Sequence, residues 1–337
     1  MADARRDEVV AWLVSANLPG ALGIDVSTLA PASEDASFRR YFRVAGGDER
    51  TWIVMDAPPG KEDVRPFVHV ASLLREAGLN APEVIASDVE RGFLLLSDLG
   101  TSTYLSVLDT DNASELFDDA IDALVRWQLA SRPGVLPAYD RPLLQRELDL
   151  FPDWYVTRHR ALTLSNEQMA ALKATFEAIV LRALAQPAVY VHRDYMPRNL
   201  MVSAPNPGIL DFQDAVHGPI TYDIASLMRD AFISWDEERQ LDWVIRYWER
   251  ARKAGLPVAA DFGEFWRDFE WMGLQRHLKV LGIFARINYR DGKPHYLTDT
   301  PRFIGYVQSV TRRYGELAPL AHLIDQIENV EARAGHG

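Results

Sequence analysis

The chain changes character near residue 100, and that change limits its fold more than any other feature. Before it, short β-like runs alternate with turn residues: 38–44 and 51–55 on either side of Ala45-Gly46-Gly47-Asp48, then 83–87 and 92–96. The first pair reads as a hairpin whose glycines supply positive φ. Helical segments are expected over 5–16 and 64–77, the second stopping at Gly78, a residue suited to the position after a helix C-cap. Beyond residue 100, long helical stripes take over. Residues 112–130 place Leu116, Phe117, Ala120, Ile121, Leu124, Val125 and Leu129 on one face. Ser165-Asn166-Glu167-Gln168 is a capping box that opens a helix to about Leu184. Further helices are expected over 221–235, 236–254, 262–287 and 302–334. This order is neither a repeating βαβ pattern nor a sandwich. It predicts an α+β chain, β-rich over 1–99 and mostly helical over 100–337.

At 337 residues, with 48% hydrophobic and 25% charged, the chain is long enough for a sizeable core and ordinary in composition. It has no cysteine, which excludes disulfides, thiolate catalysis and cysteine zinc sites. The start, MADARRDEVVAWLV, reads as an amphipathic helix and not a signal peptide. No apolar run approaches the ~20 residues of a membrane span. These features predict a cytoplasmic protein without a membrane partner, and a monomer is expected. The net charge of -12 argues against nucleic acid as a partner, since phosphate contacts need basic surface.

The helical part is interrupted by VYVHRDYMPRNLMVSAPNPGILDFQDA, residues 189–215. One short strand leads into His192-Arg193-Asp194. A second β pair, 200–203 with 208–210, turns at Pro205-Asn206-Pro207 and leads into Asp211-Phe212. A carboxylate at the end of a buried strand is desolvated unless something pairs with it. A divalent ion is the natural partner for Asn199 and Asp211, whose oxygens suit Mg²⁺. Asp194 precedes them in the loop, placed to accept a proton or orient a hydroxyl. A salt-bridged turn at Arg193-Asp194 and a helix cap at Asp211 would be the non-catalytic alternative.

The spacing resembles the protein-kinase pattern H-R-D-x-x-x-x-N followed by D-F-G. There the first Asp positions the acceptor hydroxyl, while the Asn and second Asp hold Mg²⁺ on ATP. Gln213-Asp214 replaces the glycine, and Gly218-Pro219-Ile220-Thr221-Tyr222-Asp223-Ile224-Ala225 follows within a dozen residues. This is similar to the aminoglycoside phosphotransferase family, and the resemblance implies a protein-kinase-like two-lobed fold and a structural, loop-bracing role for Asp223. The strings HRDYMPRNLMV, LDFQDAVHGP, SFRRYFRV, WIVMDAPP and QRELDLFPDWY narrow it to the anomeric amino-sugar kinases of that family, those of N-acetylmuramate and N-acetylglucosamine. That likeness implies ATP- and Mg²⁺-dependent phosphorylation of the sugar's C1 hydroxyl to the α-1-phosphate, in cell-wall recycling. An aminoglycoside or aminoalcohol (choline-type) phosphotransferase, and a non-catalytic pseudokinase, are the competing readings.

The chain departs from the kinase pattern at the nucleotide. Met55 stands where a kinase has its β3 lysine, and the following helix offers only Glu76, near its far end. Arg43 and Lys61 are the candidates for neutralising phosphate, although solvated surface cations would look the same in sequence. Ser33 and Ser37 flank a loop without glycine that is expected over the phosphates. Leu96 and Asp98 lie at the connection between the parts, where backbone groups would bind adenine. For the sugar, the candidates are Glu147, Arg198, Gln213 and Asp214, with Asp149 secondary. Arg276, Arg286 and Tyr289 lie on late helices that could close the pocket, an arginine suiting a carboxylate bidentately. The Trp-rich stretch 235–271 reads as core, and His217 and His277 as structural.

Overall fold

The computed structural model describes residues 3–33 and 38–334, apart from the side chains of Ser33 and of 329–334. They form two compact units. The first is residues 1–112 with 198–214; the second is 113–197 with 215–337. The first unit thus runs on past residue 99 and also takes in the loop 198–214. There Ile209 donates its N–H to the Asn80 carbonyl (2.7 Å), and Val202 to that of Ser102 (2.9 Å).

The first unit is built on an antiparallel sheet, order β1-β2-β3-β5-β4, of β1 (Asp25–Ser33), β2 (Arg40–Ala45), β3 (Thr51–Asp56), β4 (Val84–Asp88) and β5 (Phe93–Ser97). Strand alternation decides its two faces. Phe42, Val44, Val54, Phe93 and Leu95 turn one way and pack on Val9, Trp12 and Leu13 of α1 (Ala4–Ser15). Each such side chain contributes about 1.5–3 kcal/mol. On this face the fully buried Asp56 carboxylate is held by Arg5 of α1 and by Arg40. Tyr41, Arg43 and Met55 turn the other way, Tyr41 standing opposite Met55. Two further helices, α2 (Leu18–Leu22) and α3 (Arg65–Glu76), flank the strands in sequence, and α4 (Tyr104–Val107) closes the segment. Gly78 has φ 73° just past the end of α3, where a left-handed residue was expected.

Two details differ from the sequence reading. Strand β1 was not expected; its Pro31 is tolerated because β1 is an edge. In the β2–β3 hairpin the positive φ falls on Asp48 and Glu49, not on the glycines. Gly46 is needed for space instead: a Cβ there would lie 2.5 Å from Trp52 Nε1.

The second unit is helical: α5 (Ala113–Leu129), α6 (Arg141–Leu150), α7 (Asn166–Ala185), α8 (Tyr222–Met228), α9 (Glu237–Lys253), α10 (Phe262–Asp291), α11 (Thr300–Arg313) and α12 (Ala318–Ala334). The Ser165–Gln168 capping box is present at α7. Helix α6 runs into a π-helical stretch, Phe151–His159. Pro152 has no N–H to give to an i−4 carbonyl, and the stretch closes with Arg160 N–H on the Tyr155 carbonyl (2.9 Å). The 30-residue α10 is buried along most of its length. It crosses the end of α6 at Gly282, where a Cβ would sit 2.4 Å from the Leu150 backbone. Helix α8 is shorter than expected because Asp230 turns back onto the Phe232 N–H (3.3 Å). The expected 302–334 helix breaks at an extended Tyr314. No helix among the described residues is long and apolar enough to cross a membrane.

Two small sheets complete the chain. Strand β6 (Ala188–Val191) lies in the second unit. The hairpin of β7 (Leu200–Met201) and β8 (Gly208–Ile209) lies in the first. Strand β9 (Val216–Pro219) pairs with β6.

Candidate active site

In the first unit the β7–β8 hairpin brings two of the singled-out residues together. Leu200 pairs with Ile209, and Leu210 donates its N–H to the Asn199 carbonyl (2.9 Å). Asn199 and Asp211 therefore leave the hairpin side by side. The Asn199 amide nitrogen lies 3.4 Å from the Asp211 carboxylate. Asp211 adopts φ 60°, a costly conformation for a non-glycine residue and one that clusters at functional sites. The next residue holds it there: Phe212 is fully buried against Phe67 of α3, ring centroids 4.7 Å apart. The other oxygen of Asp211 accepts a bond from Gln213 Nε2 (3.0 Å) and lies 3.5 Å from an Arg39 guanidinium nitrogen. Gln213, expected on the sugar, is thus turned toward Asp211, while Arg198 and Asp214 are exposed.

The Asn199–Asp211 donors are an amide and a carboxylate, which fits Mg²⁺, a cation usually held by one or two carboxylates and completed by phosphate and water. No group of three or more His, Cys, Asp or Glu that could hold a metal occurs among the described residues. An amide and a carboxylate are hard oxygen donors, the kind that suits Mg²⁺ and not a soft ion.

The nucleotide-side expectations fare differently. Arg43 is bonded to Asp98 and to the Gly100 carbonyl (2.9 Å). Asp98, nearly buried, also accepts from Thr51 Oγ1 (2.7 Å) and the Gly100 N–H (2.9 Å). These two residues, both expected on the nucleotide, are satisfied by each other and fix the connection after β5. Leu96 lies inside the sheet, opposite Ile53 and Val84. Lys61 stacks its ammonium over the Phe38 ring at 4.3 Å. Ser37 lies outside the described residues, and so does the side chain of Ser33, whose backbone ends β1. Arg39 was not singled out by sequence. The alternation of SFRRYFRV was the available signal.

In the second unit β6 delivers the loop His192-Arg193-Asp194. The buried Asp223 carboxylate, one residue into α8, accepts both the His192 N–H (2.7 Å) and the Arg193 N–H (3.0 Å). Burial pushes the Asp223 carboxyl up to about 7, against the pull of those two donors. Arg193 has φ 76°. The Asp194 N–H faces His192 Nδ1 (3.2 Å), and the Tyr195 hydroxyl donates to the Ala120 carbonyl (2.7 Å). Asp194 is half-buried.

Glu147 is where the structure departs most from sequence. Expected as a sugar contact, it is buried on α6 and fully engaged. Its carboxylate meets Arg193, Lys279 Nζ (2.9 Å), the Tyr139 hydroxyl and Gln275 Nε2 (3.1 Å). Lys279 also donates to the Tyr222 hydroxyl (3.0 Å). Glu147 thus acts as a buried anion that holds the arginine next to Asp194. Four distant segments build this cluster, so no local pattern announces it. Burial alone would raise the Glu147 carboxyl; the charges of Lys279 and Arg193 outweigh it and hold it at about 2. A carboxyl lowered on folding stabilises fully above its unfolded value of 4.5, and that stability is lost as pH falls through about 2. Acid titration of the unfolding free energy should lose about 3 kcal/mol over that window. In Glu147→Gln this component should be absent.

Comparison with known proteins agrees with this architecture. A profile of the phosphotransferase enzyme family matches residues 28–262. The chain belongs to this family, and is an ATP-dependent phosphotransferase of mixed α+β, protein-kinase-like fold. Among solved structures it superposes on an ADP-bound aminoglycoside phosphotransferase (TM-score 0.57, 14% identity, 90% of this chain and 98% of that one). A macrolide 2'-phosphotransferase from Brachybacterium faecium gives TM-score 0.59 at 13% identity, over 88% and 98%. More specifically, it is 55% identical to the N-acetylmuramate/N-acetylglucosamine kinase of Pseudomonas aeruginosa over 96% of both chains. It is 50% identical to the kinase of the same name from Neisseria meningitidis, over 90% of this chain and 92% of that one.

Proposed function

We propose that this phosphotransferase is a Mg²⁺-dependent kinase that transfers the γ-phosphoryl group of ATP to the C1 hydroxyl of N-acetylmuramate and N-acetylglucosamine, giving the α-1-phosphate for cell-wall recycling. The observation that carries this reading is the likeness, over nine-tenths or more of the chain, to kinases named for those two sugars.

In this reading Asp194 orients the acceptor hydroxyl and receives its proton. The C1 oxygen bonds to the γ-phosphorus as the bond to the bridging oxygen breaks, and the electron pair leaves with ADP. Asp223 and Glu147 keep the loop in shape for this, one through two backbone N–H groups, the other through Arg193. Asn199 and Asp211 would hold the Mg²⁺, which when bound neutralises phosphate charge. Arg198 and Asp214, both exposed, remain the candidate sugar contacts. A monomer acting in the cytoplasm on small molecules remains part of this proposal.

The test is ADP release from Mg-ATP with four acceptors. N-acetylglucosamine and N-acetylmuramate should turn over, whereas kanamycin and choline should give only the background rate. Preferential turnover of kanamycin or choline would return the aminoglycoside or aminoalcohol reading.

A further inference from the structure

A kinase site has to balance the negative charge of the nucleotide phosphates, and this chain lacks the residue that usually helps. Met55 occupies the lysine position on β3 and is fully buried. The glutamate that would pair with such a lysine is missing too: Glu76 ends α3 and accepts from Ser72 (3.1 Å). Somewhere on the Met55 face another cation must stand.

Strand register narrows the choice. Arg40 stands opposite Asp56, on the face covered by α1, and is spent on Asp56 and Asp3. Tyr41 and Arg43 share the Met55 face, and Arg39, one residue before β2, continues their alternation. Arg43 is committed to Asp98 and Gly100, and Lys61 lies over Phe38. The side chain of Arg39 is only 10% exposed and reaches a different group, the Asp211 carboxylate at 3.5 Å. That distance marks a loose ion pair, not a tight hydrogen bond.

We propose that Arg39 replaces the β3 lysine as the cation that binds the ATP phosphates, the charge having moved from the middle of β3 to the entry of β2. Two points carry it: the alternation of β2, continued one residue back from Arg40, puts Arg39 on the Met55 face, and its guanidinium lies 3.5 Å from the Asp211 carboxylate. A guanidinium is suited to the task, since its fork of donors matches phosphate oxygens and it stays charged at any working pH. The pair with Asp211 keeps both groups partnered when no nucleotide is bound. This assignment needs only an ATP-dependent phosphotransferase and holds whatever the acceptor is.

The experiment is calorimetric binding of ATP, ADP and adenosine to the wild type, Arg39→Met and Arg39→Lys, with Mg²⁺ and again with EDTA. Arg39→Met should weaken ATP about 10–100-fold, the worth of a charge-assisted hydrogen bond. ADP should lose less and adenosine nothing, and the same ranking should appear in EDTA. Arg39→Lys keeps the charge and should lose less than Arg39→Met. Equal weakening of ATP and adenosine would make Arg39 a structural residue and overturn the proposal. So would unchanged ATP affinity in EDTA, which would mean that Arg39 acts only through the metal ligand.

Discussion

Replacing Asp194 by asparagine should lower kcat by about 10²–10⁴-fold, the usual worth of a positioned general base, while leaving ATP affinity within a few-fold of wild type. The amide is isosteric and still orients a hydroxyl, but it does not take a proton. Its surroundings are held independently: Asp223 bonds the His192 and Arg193 N–H groups, and the Tyr195 hydroxyl is anchored on Ala120. The loop should therefore keep its shape. Steady-state kinetics beside nucleotide titration separate the two effects. Activity near wild type would remove Asp194 from its role. Asp211→Asn should behave differently, losing the Mg²⁺-dependent part of ATP binding.

The second large effect is on stability. Glu147→Gln should cost about 3–5 kcal/mol, because it leaves Lys279 and Arg193 buried without their shared anion. Against the 5–15 kcal/mol of a typical domain that is a large share. Lys279→Met should cost less, since Glu147 keeps Arg193 and Tyr139. Urea denaturation reads both, and the ordering is the test: a Lys279→Met loss equal to or larger than that of Glu147→Gln would contradict the account of the cluster. The same substitution should also lower kcat, because Glu147 positions the arginine that precedes Asp194.

The parts of this protein that sequence made legible are those set by local pattern. The capping box at Ser165, the strand before His192 and the hairpin after Asn199 all follow from neighbours within a dozen residues. So does the meeting of Asn199 and Asp211 across that hairpin. What escaped depends on partners far along the chain. Glu147 reads as a candidate sugar contact, and its partners Arg193 and Lys279 arrive from elsewhere in the chain. Arg43 looks available until Asp98 folds back to it. Arg39 was readable from the alternation in SFRRYFRV, but only once the face of the sheet covered by α1 was known. Edge strand β1, irregular and proline-bearing, has too little pattern of its own.

We propose that this kinase puts phosphate onto the anomeric oxygen of an amino sugar. The most direct test is to offer N-acetylglucosamine and its 1-O-methyl glycoside side by side with Mg-ATP, and to locate the phosphate on any product by phosphorus–proton coupling. The free sugar should turn over and carry phosphate coupled to H1, and the glycoside, its C1 oxygen blocked, should be inert. Turnover of the glycoside would place the phosphate elsewhere and contradict the claim.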